Sequence, residues 1–248
     1  MALRTESLGD LRHTRRIRRL ILLAPAAIYF FSYFHRVAPA VVAQDLMRAF
    51  SIPAASLGQL AAIYPYVFAV MALPAGSLAD TLGPRWTLTL GAVMMGFGAT
   101  LFGLAPVFGV AYAGRLLVGL GASVILISFL RLAAEWFRPD EFGTISGWSQ
   151  TVGNVGALVA SSPLALLVEA VGWRQSFVMI GVVTLLLALA AILFVRDRPE
   201  AMGLVPVNPG RADGIAPSFA ETVRAIPGVL ANPGPGRQYS RPPACIRA

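Results

Sequence analysis

The chain has 248 residues, of which 56% are hydrophobic and 13% charged, and its mean hydropathy is +0.69. A typical soluble domain carries about 25% charged residues, so this composition excludes an ordinary soluble fold and favours an integral membrane protein. All 20 basic residues are arginine, and the net charge is +8. The single cysteine, Cys245, excludes an intrachain disulfide and leaves no thiolate cluster for a metal or iron–sulfur centre.

Six apolar segments, separated by charged and turn residues, are predicted to cross the membrane as helices. Each is close to the roughly 20 residues that a helix needs to cross the hydrocarbon layer. The absence of period-two alternation argues against a transmembrane barrel. The predicted fold is therefore an all-α membrane bundle. Its six spans lie at about residues 20–42, 56–79, 86–105, 107–130, 143–168 and 174–195.

The arginines between these spans predict the orientation of the bundle. With the N-terminus in the cytoplasm, eleven arginines fall on the inner side and only two, Arg48 and Arg174, on the outer side. Loops on the cytoplasmic side of membrane proteins carry the excess of basic residues. Both ends of the bundle are therefore predicted to lie in the cytoplasm.

The composition also divides the chain into four parts. We predict a basic cytoplasmic N-terminus at residues 1–19 and the six-helix bundle at residues 20–195. A cytoplasmic linker rich in proline and glycine follows at residues 196–231, with a short amphipathic helix that begins near Ser218. Residues 232–248 contain no apolar run and are predicted to be a disordered tail.

Two arginines fall inside predicted spans. Arg36 lies about 24 Å from the inner edge of a hydrocarbon layer about 30 Å thick, and Arg115 lies about 12 Å below its outer edge. A charge at such depth is costly unless it faces protein, water or a counter-ion, so both are candidate substrate-binding residues. For Arg36 the alternative is that its side chain snorkels to the outer interface.

Two amides of the fifth span are further candidates for substrate binding. Gln150 lies about 10 Å and Asn154 about 16 Å from the inner edge, and transporter sites lie near the midplane. The alternative is that both form hydrogen bonds between helices. The tyrosines are interpreted as packing or interfacial aromatics, and the glycines of the spans as surfaces for close helix packing.

The segment between the second and third spans reads GSLADTLGPRW, residues 76–86. Glycine permits a tight turn there, and we expect Asp80 to accept hydrogen bonds from the first turn of the third span, with Arg85 as its ionic partner. On this reading alone the segment is a capped turn. It also resembles the signature loop of the major facilitator superfamily, G-x-L-x-D-x-x-G-x-R. The matching residues are Gly76, Leu78, Asp80, Gly83 and Arg85.

Three further stretches resemble the same superfamily in the same order: GRLLVGLGAS in the fourth span, EWFRPDEFG in the second inner loop, and GWRQSF at the start of the sixth span. The resemblance covers residues 20 to about 200 and implies the N-terminal six-helix half of a fold that ordinarily has twelve. It implies that the first and fourth helices line a central cavity, where Arg36 and Arg115 share a wall. It also implies that Asp80 belongs to a gating loop that engages the other half.

Together these features predict a secondary active transporter, a symporter or antiporter, in the inner membrane that carries a small solute by alternating access. Guanidinium groups suit carboxylates and phosphates, which favours an organic anion. The alternative is a truncated or frame-shifted half that transports nothing alone and acts as a membrane interaction module or homodimer. The predicted partners are the solute, the lipid bilayer, and a second six-helix half or a second copy. We predict no enzymatic activity, cofactor, metal or nucleic-acid partner.

Overall fold

The computed structural model describes residues 8–204, apart from the side chains of residues 8–17, 19, 72 and 73. Within that range the chain is almost entirely helical and contains no β-strand, which confirms the predicted all-α fold. The predicted amphipathic helix of the linker and the predicted tail lie outside the described residues. The helices are α1 (Leu8–Val41), α2 (Ala43–Phe50), α3 (Ala54–Thr81), α4 (Pro84–Leu104), α5 (Phe108–Trp136), α6 (Pro139–Val159), α7 (Ser162–Val171) and α8 (Trp173–Phe194), followed by a 3-10 turn at Pro199–Met202.

Within residues 8–204, six segments are long and apolar enough to cross a membrane, which confirms the predicted number of spans. The large exposed side chains of α8 include Val182, Leu186, Leu189 and Leu193, which suit contact with acyl chains. The six segments are Leu20–Val41, Ala54–Met71, Pro84–Leu104, Phe108–Trp136, Pro139–Val171 and Trp173–Phe194.

Helices α4 and α5 form the centre of the bundle. Helix α4 packs against α5 on one side and α8 on the other, while α3 packs against α5 and α1 packs against α6. The contact between α4 and α5 depends on glycine, since a Cβ at Gly98 would lie 2.6 Å from the carbonyl oxygen of Gly114 and one at Gly114 would lie 2.7 Å from that of Gly98. Because neither residue has a side chain, the two backbones come into contact, which confirms the predicted packing role of Gly98.

The fifth span is two helices instead of the single predicted one. Helix α6 ends at Val159, and α7 begins at Ser162. Pro163 has no N–H group to bond the carbonyl oxygen of Val159, so the helical ladder is interrupted there. The hydroxyl of Ser161, in the break, donates a hydrogen bond to the carbonyl oxygen of Leu158 at 2.6 Å.

A short helix that the sequence did not predict, α2, follows α1 on the outer side of the membrane. Leu46 is buried on one face, while Gln44 and Arg48 are exposed on the other and form a hydrogen bond of 3.2 Å. An apolar face opposite a polar one is the pattern of a helix that lies in the membrane interface. Ser51, with φ of 51°, ends the helix in the left-handed conformation.

Candidate functional site

Two tyrosines of α1 and a glutamine of α6 form a hydrogen-bonded cluster. The hydroxyl of Tyr29 donates to Oε1 of Gln150 at 3.0 Å, and the hydroxyl of Tyr33 donates to the same oxygen at 3.2 Å. Both donors use the acceptor end of the amide, so its donor end, Nε2, remains available to another group. Gln150 itself is exposed. The cluster therefore presents an oriented amide donor at the α1–α6 contact.

Gly153 lets the tyrosine rings reach α6. A Cβ at this position would lie 3.0 Å from Cδ2 and Cε2 of the Tyr33 ring and 3.1 Å from Cε1 of Tyr29. Gly153 follows Gln150 by three residues and so lies on the same face of α6. Glycine at this position and glutamine one turn before it together fix where the rings and hydroxyls of α1 meet α6.

Arg36 lies on the same face of α1, three residues after Tyr33. Its guanidinium carbon is 6.0 Å from the centre of the Tyr33 ring, and the residue is exposed. Among the residues that the structure describes, the guanidinium has no hydrogen bond and no ion pair. It is therefore a cation without a partner among the described residues, beside the tyrosine–glutamine cluster, and this arrangement suits an anionic ligand.

Asn154 lies one helical turn after Gln150 and is exposed like it. Within the described part of the chain its amide has no hydrogen bond to Arg36, Gln150 or either tyrosine. The structure thus connects two of the four predicted substrate-binding residues, Arg36 and Gln150, through Tyr33. A role for Asn154 in binding stays a prediction.

Arg115 is buried at the contact between α5 and α1, with only 4% of its surface exposed. Its Nη1 donates to the carbonyl oxygen of His35 at 2.5 Å and its Nη2 to that of Arg36 at 3.0 Å. Pro39 explains why a helical carbonyl is available, because proline has no N–H group for the carbonyl oxygen of His35 four residues earlier. The guanidinium also lies 5.0 Å from the centre of the Tyr64 ring. Arg115 therefore contacts the backbone of Arg36, and direct contact with substrate stays a prediction.

The predicted gating loop is mostly helical. Gly76, Leu78 and Asp80 lie in the last two turns of α3, and the turn itself consists of Leu82 and Gly83, with φ of +84° at Gly83. That conformation favours glycine. The hydroxyl of Thr87 in α4 donates to the carbonyl oxygen of Leu78 at 3.1 Å, which joins the two helices across the turn.

The carboxylates at this turn differ from the expected arrangement. Asp80 pairs with Arg131 of α5, with Oδ1 2.8 Å from Nη2, and is not the partner of Arg85. The carboxylate at the first turn of α4 is that of Asp197, whose Oδ1 accepts a hydrogen bond from the backbone N–H of Arg85 at 2.7 Å. The guanidinium of Arg85 donates to the carbonyl oxygen of Ile192 at 2.5 Å. Within residues 8–204 no three His, Cys, Asp or Glu side chains are grouped so as to hold a metal ion.

The family model described as the Major Facilitator Superfamily matches residues 26–235 of this chain. The chain belongs to the Major Facilitator Superfamily. It is thus a member of a family of multi-pass membrane transporters, and its match with six spans confirms the predicted fold and membrane location.

Several members of the superfamily are similar to this chain. The probable sulfoacetate transporter SauU of Cupriavidus necator is 26% identical over 183 residues, which cover 74% of this chain and 43% of that protein. A probable L-galactonate transporter of Escherichia coli is 25% identical and covers 77% of this chain and 43% of that protein. A bacterial homologue of the human lysosomal transporter Spinster, in an inward-facing and unoccupied conformation, has a TM-score of 0.66 at 22% identity, over 74% of this chain and 44% of that one. The chain spans less than half the length of these relatives.

Resemblance to the superfamily did not single out Tyr29, Tyr33 or Asp197. The tyrosines were interpreted as packing aromatics, although Tyr29 and Tyr33 precede Arg36 by seven and three residues, a spacing that already places all three on one face of α1. Asp197 lies in the segment that resembles the superfamily, but its partner Arg85 is 112 residues away along the chain. No local pattern reports such a contact.

Proposed function

We propose that this chain is the N-terminal half of a secondary active transporter that carries a small organic anion by alternating access. The single observation that supports the substrate class is the Arg36 guanidinium, unpaired among the described residues, beside the ring of Tyr33, whose hydroxyl donates to Gln150. A planar guanidinium binds a carboxylate or sulfonate through paired hydrogen bonds, and the amide donor suits a second oxygen of the same solute. The relatives named above are probable transporters of sulfoacetate and L-galactonate, which are both small organic anions.

We further propose that a second six-helix half completes the transporter. Exposed apolar side chains on α3 and α6 support this, because Tyr66 is 71% exposed, Val70 74% and Trp148 69%. Alternating access requires two bundles that rock around a site near the midplane. A second copy of this chain is the other candidate for that partner. The second candidate function is a half that transports nothing on its own. The share of its relatives' length that the chain spans does not distinguish an active half from an inactive one.

The experiment is solute binding to the purified full chain in phosphatidylcholine nanodiscs, measured by calorimetry with sulfoacetate and L-galactonate, and with galactose as the uncharged control. Arg36→Ala is expected to weaken anion binding about ten- to a hundredfold, because it removes hydrogen bonds to a charged group. Arg48→Ala is the matched control, since Arg48 is also an exposed arginine near the outer side. Equal binding by wild type and Arg36→Ala would contradict the proposed site.

Uptake separates the candidate partners. Proteoliposomes that contain only this chain are expected to take up no labelled sulfoacetate, and uptake is expected when a C-terminal six-helix half is supplied. Uptake by the chain alone, together with a cross-linked dimer, would instead favour two identical copies. Binding without uptake under either condition would favour the half that transports nothing.

A further inference from the structure

A cleft of about 470 Å³ opens between the end of α4 and the start of α8. Leu104 of α4 and Met179 of α8 supply apolar walls, and Arg174 and Gln175 supply polar groups. In the predicted orientation these two helix ends face the outer side, so the cleft lies at the outer membrane interface. The candidate site lies on α1 and α6, and the contact proposed for a second half lies on α3 and α6, so neither accounts for this cleft.

The guanidinium of Arg174 is held in place beside the cleft. Its Nη1 donates to the carbonyl oxygen of Ala105, the residue after α4, at 2.5 Å. Its central carbon lies 4.5 Å from the centre of the Trp173 ring and 5.5 Å from that of the Phe50 ring. A tryptophan and a cation held against it are typical of the membrane interface. The charge is therefore fixed at the level of the lipid headgroups.

Two nitrogens of this guanidinium remain available to a ligand. Among the residues that the structure describes, Nε and Nη2 of Arg174 form no hydrogen bond, and the side chain forms no ion pair. The carboxylates on the outer side are those of Asp45 and Glu169, and neither lines the cleft. Nε and one terminal nitrogen of a guanidinium donate in parallel, which fits two oxygens of a phosphate group. The cleft therefore offers paired donors and a positive charge without a carboxylate in its lining.

An exposed apolar stripe continues from the cleft towards the centre of the membrane. Met179, Val182 and Leu186 are all exposed and follow one another at helical spacing on one face of α8. Leu186 lies 12 residues after Arg174, or about 18 Å along the helix, and the hydrocarbon of one leaflet is about 15 Å deep. On α4, the exposed Phe97 lies two turns before Leu104 and extends the apolar surface. A ligand that suits both parts has a phosphate at one end and acyl chains at the other.

We propose that this cleft binds an anionic phospholipid of the outer leaflet, with its phosphate on Arg174 and its acyl chains along the α8 stripe. A soluble phosphate ester would use only the charged end of the surface, whereas a phospholipid covers both. An anionic headgroup fits better than a zwitterionic one, because the lining has one cation and no carboxylate to pair with a choline or ethanolamine group. The proposal is independent of the solute that binds near Arg36.

The experiment is native mass spectrometry of the purified full chain in dodecyl maltoside, titrated with phosphatidylglycerol or with phosphatidylcholine. The measured quantity is the dissociation constant of the first bound lipid. The wild type is expected to bind phosphatidylglycerol about three- to tenfold more tightly than phosphatidylcholine. Arg174→Gln is expected to weaken phosphatidylglycerol binding about ten- to a hundredfold, because it removes the charge and the paired hydrogen bonds. Arg48→Gln, the same change at an exposed arginine of α2, is expected to leave binding unchanged.

Gln175→Glu tests the charge while it leaves Arg174 and its contact with Ala105 in place. The new carboxylate competes with the lipid phosphate inside the cleft and is expected to weaken phosphatidylglycerol binding about three- to tenfold. Gln59→Glu is the matched control, since Gln59 is an exposed glutamine of α3 outside the cleft, and it is expected to bind as the wild type does.

Equal phosphatidylglycerol affinity in the wild type, Arg174→Gln and Gln175→Glu would overturn the proposal, because lipid would then contact the chain without using the cleft. A loss in Arg174→Gln alone would also overturn it, since loosened packing of α4 against α8 would then account for the loss. Equal affinity of the wild type for the two lipids would show that the charge selects nothing. Glycerol phosphate in large excess is expected not to displace the lipid. If it does, the site takes a soluble phosphate ester and the assignment to a phospholipid is wrong.

Discussion

Replacement of Arg115 tests whether this arginine holds α1 in place or binds solute. Arg115→Ala leaves the carbonyl oxygen of His35 without a donor inside the bundle and removes a second hydrogen bond, to the carbonyl oxygen of Arg36. A buried acceptor that loses its partner costs about 1–3 kcal/mol, and the second hydrogen bond and the contact with the ring of Tyr64 are lost as well. Removal of a buried cation recovers part of its desolvation cost. We therefore expect a net loss of about 2–4 kcal/mol of unfolding free energy.

The assay is thermal unfolding in detergent, followed by tryptophan emission. At about 2–4 °C per kcal/mol for a chain of this size, Arg115→Ala is expected to lower the melting temperature by about 4–16 °C. Arg115→Lys offers a point charge instead of a fork, so it can satisfy one carbonyl well and is expected to lose about half as much. Arg48→Ala, at an exposed arginine, is expected to change stability by less than about 0.5 kcal/mol.

Solute binding by Arg115→Lys then separates the two roles. If Arg115 only holds the α1 backbone near Pro39, the variant loses stability while its affinity for sulfoacetate changes by a few fold at most. If Arg115 contacts the solute, affinity falls about ten- to a hundredfold, as for Arg36. The structural reasoning is refuted if Arg115→Ala melts at the same temperature as Arg48→Ala.

Three further predictions concern packing, the α4 terminus and the gating loop. Gly98→Ala places a Cβ 2.6 Å from a carbonyl oxygen, 0.8 Å less than the 3.4 Å of ordinary contact, and is expected to lower the free energy of unfolding by about 1–3 kcal/mol in the thermal assay. Gly147→Ala is the control, because its Cβ meets nothing within 4 Å, and it is expected to be neutral or slightly stabilising. Asp197→Ala removes the carboxylate that accepts the N–H of Arg85 and is expected to cost about 0.5–2 kcal/mol in the same assay; no loss would contradict its capping role. Asp80→Asn breaks a partly exposed ion pair and is expected to cost less than about 1 kcal/mol. A large loss of stability would contradict this small contribution, and loss of uptake at full stability, with a C-terminal half supplied, would favour gating.

The sequence predicted the features of the bundle that local composition determines. Span number depends on the length of apolar runs, and the signature motif depends on residues within ten positions of each other. The break between α6 and α7 was missed although Pro163 is visible, because packed neighbours allow many transmembrane prolines to stay within a single helix. The proline alone does not tell which outcome holds.

Local sequence also predicted part of the candidate site. The depth of Arg36 and Gln150 within their spans follows from counting residues along the chain, and the structure places both residues at one contact between α1 and α6. The depth of Arg115 was predicted in the same way, but depth does not give direction around the helix. Only the packing of α5 against α1 shows that its guanidinium turns to the α1 backbone. Periodicity failed to decide this because small residues surround Arg115 on several sides of α5.

The distribution of polar groups divides the bundle into two parts, a packed scaffold formed by α4, α5 and α8 and the contact between α1 and α6. Helix α4 contacts α5 and α8 through glycines, whereas the exposed polar groups of the candidate site lie on α1 and α6. Arg115 joins the two parts, because it extends from the scaffold to the α1 backbone at the residue that carries the exposed cation. Substitutions on the facing sides of α1 and α6 should therefore change which solute binds at little cost in stability. Substitutions at the α4–α5 contact should change stability before they change selectivity.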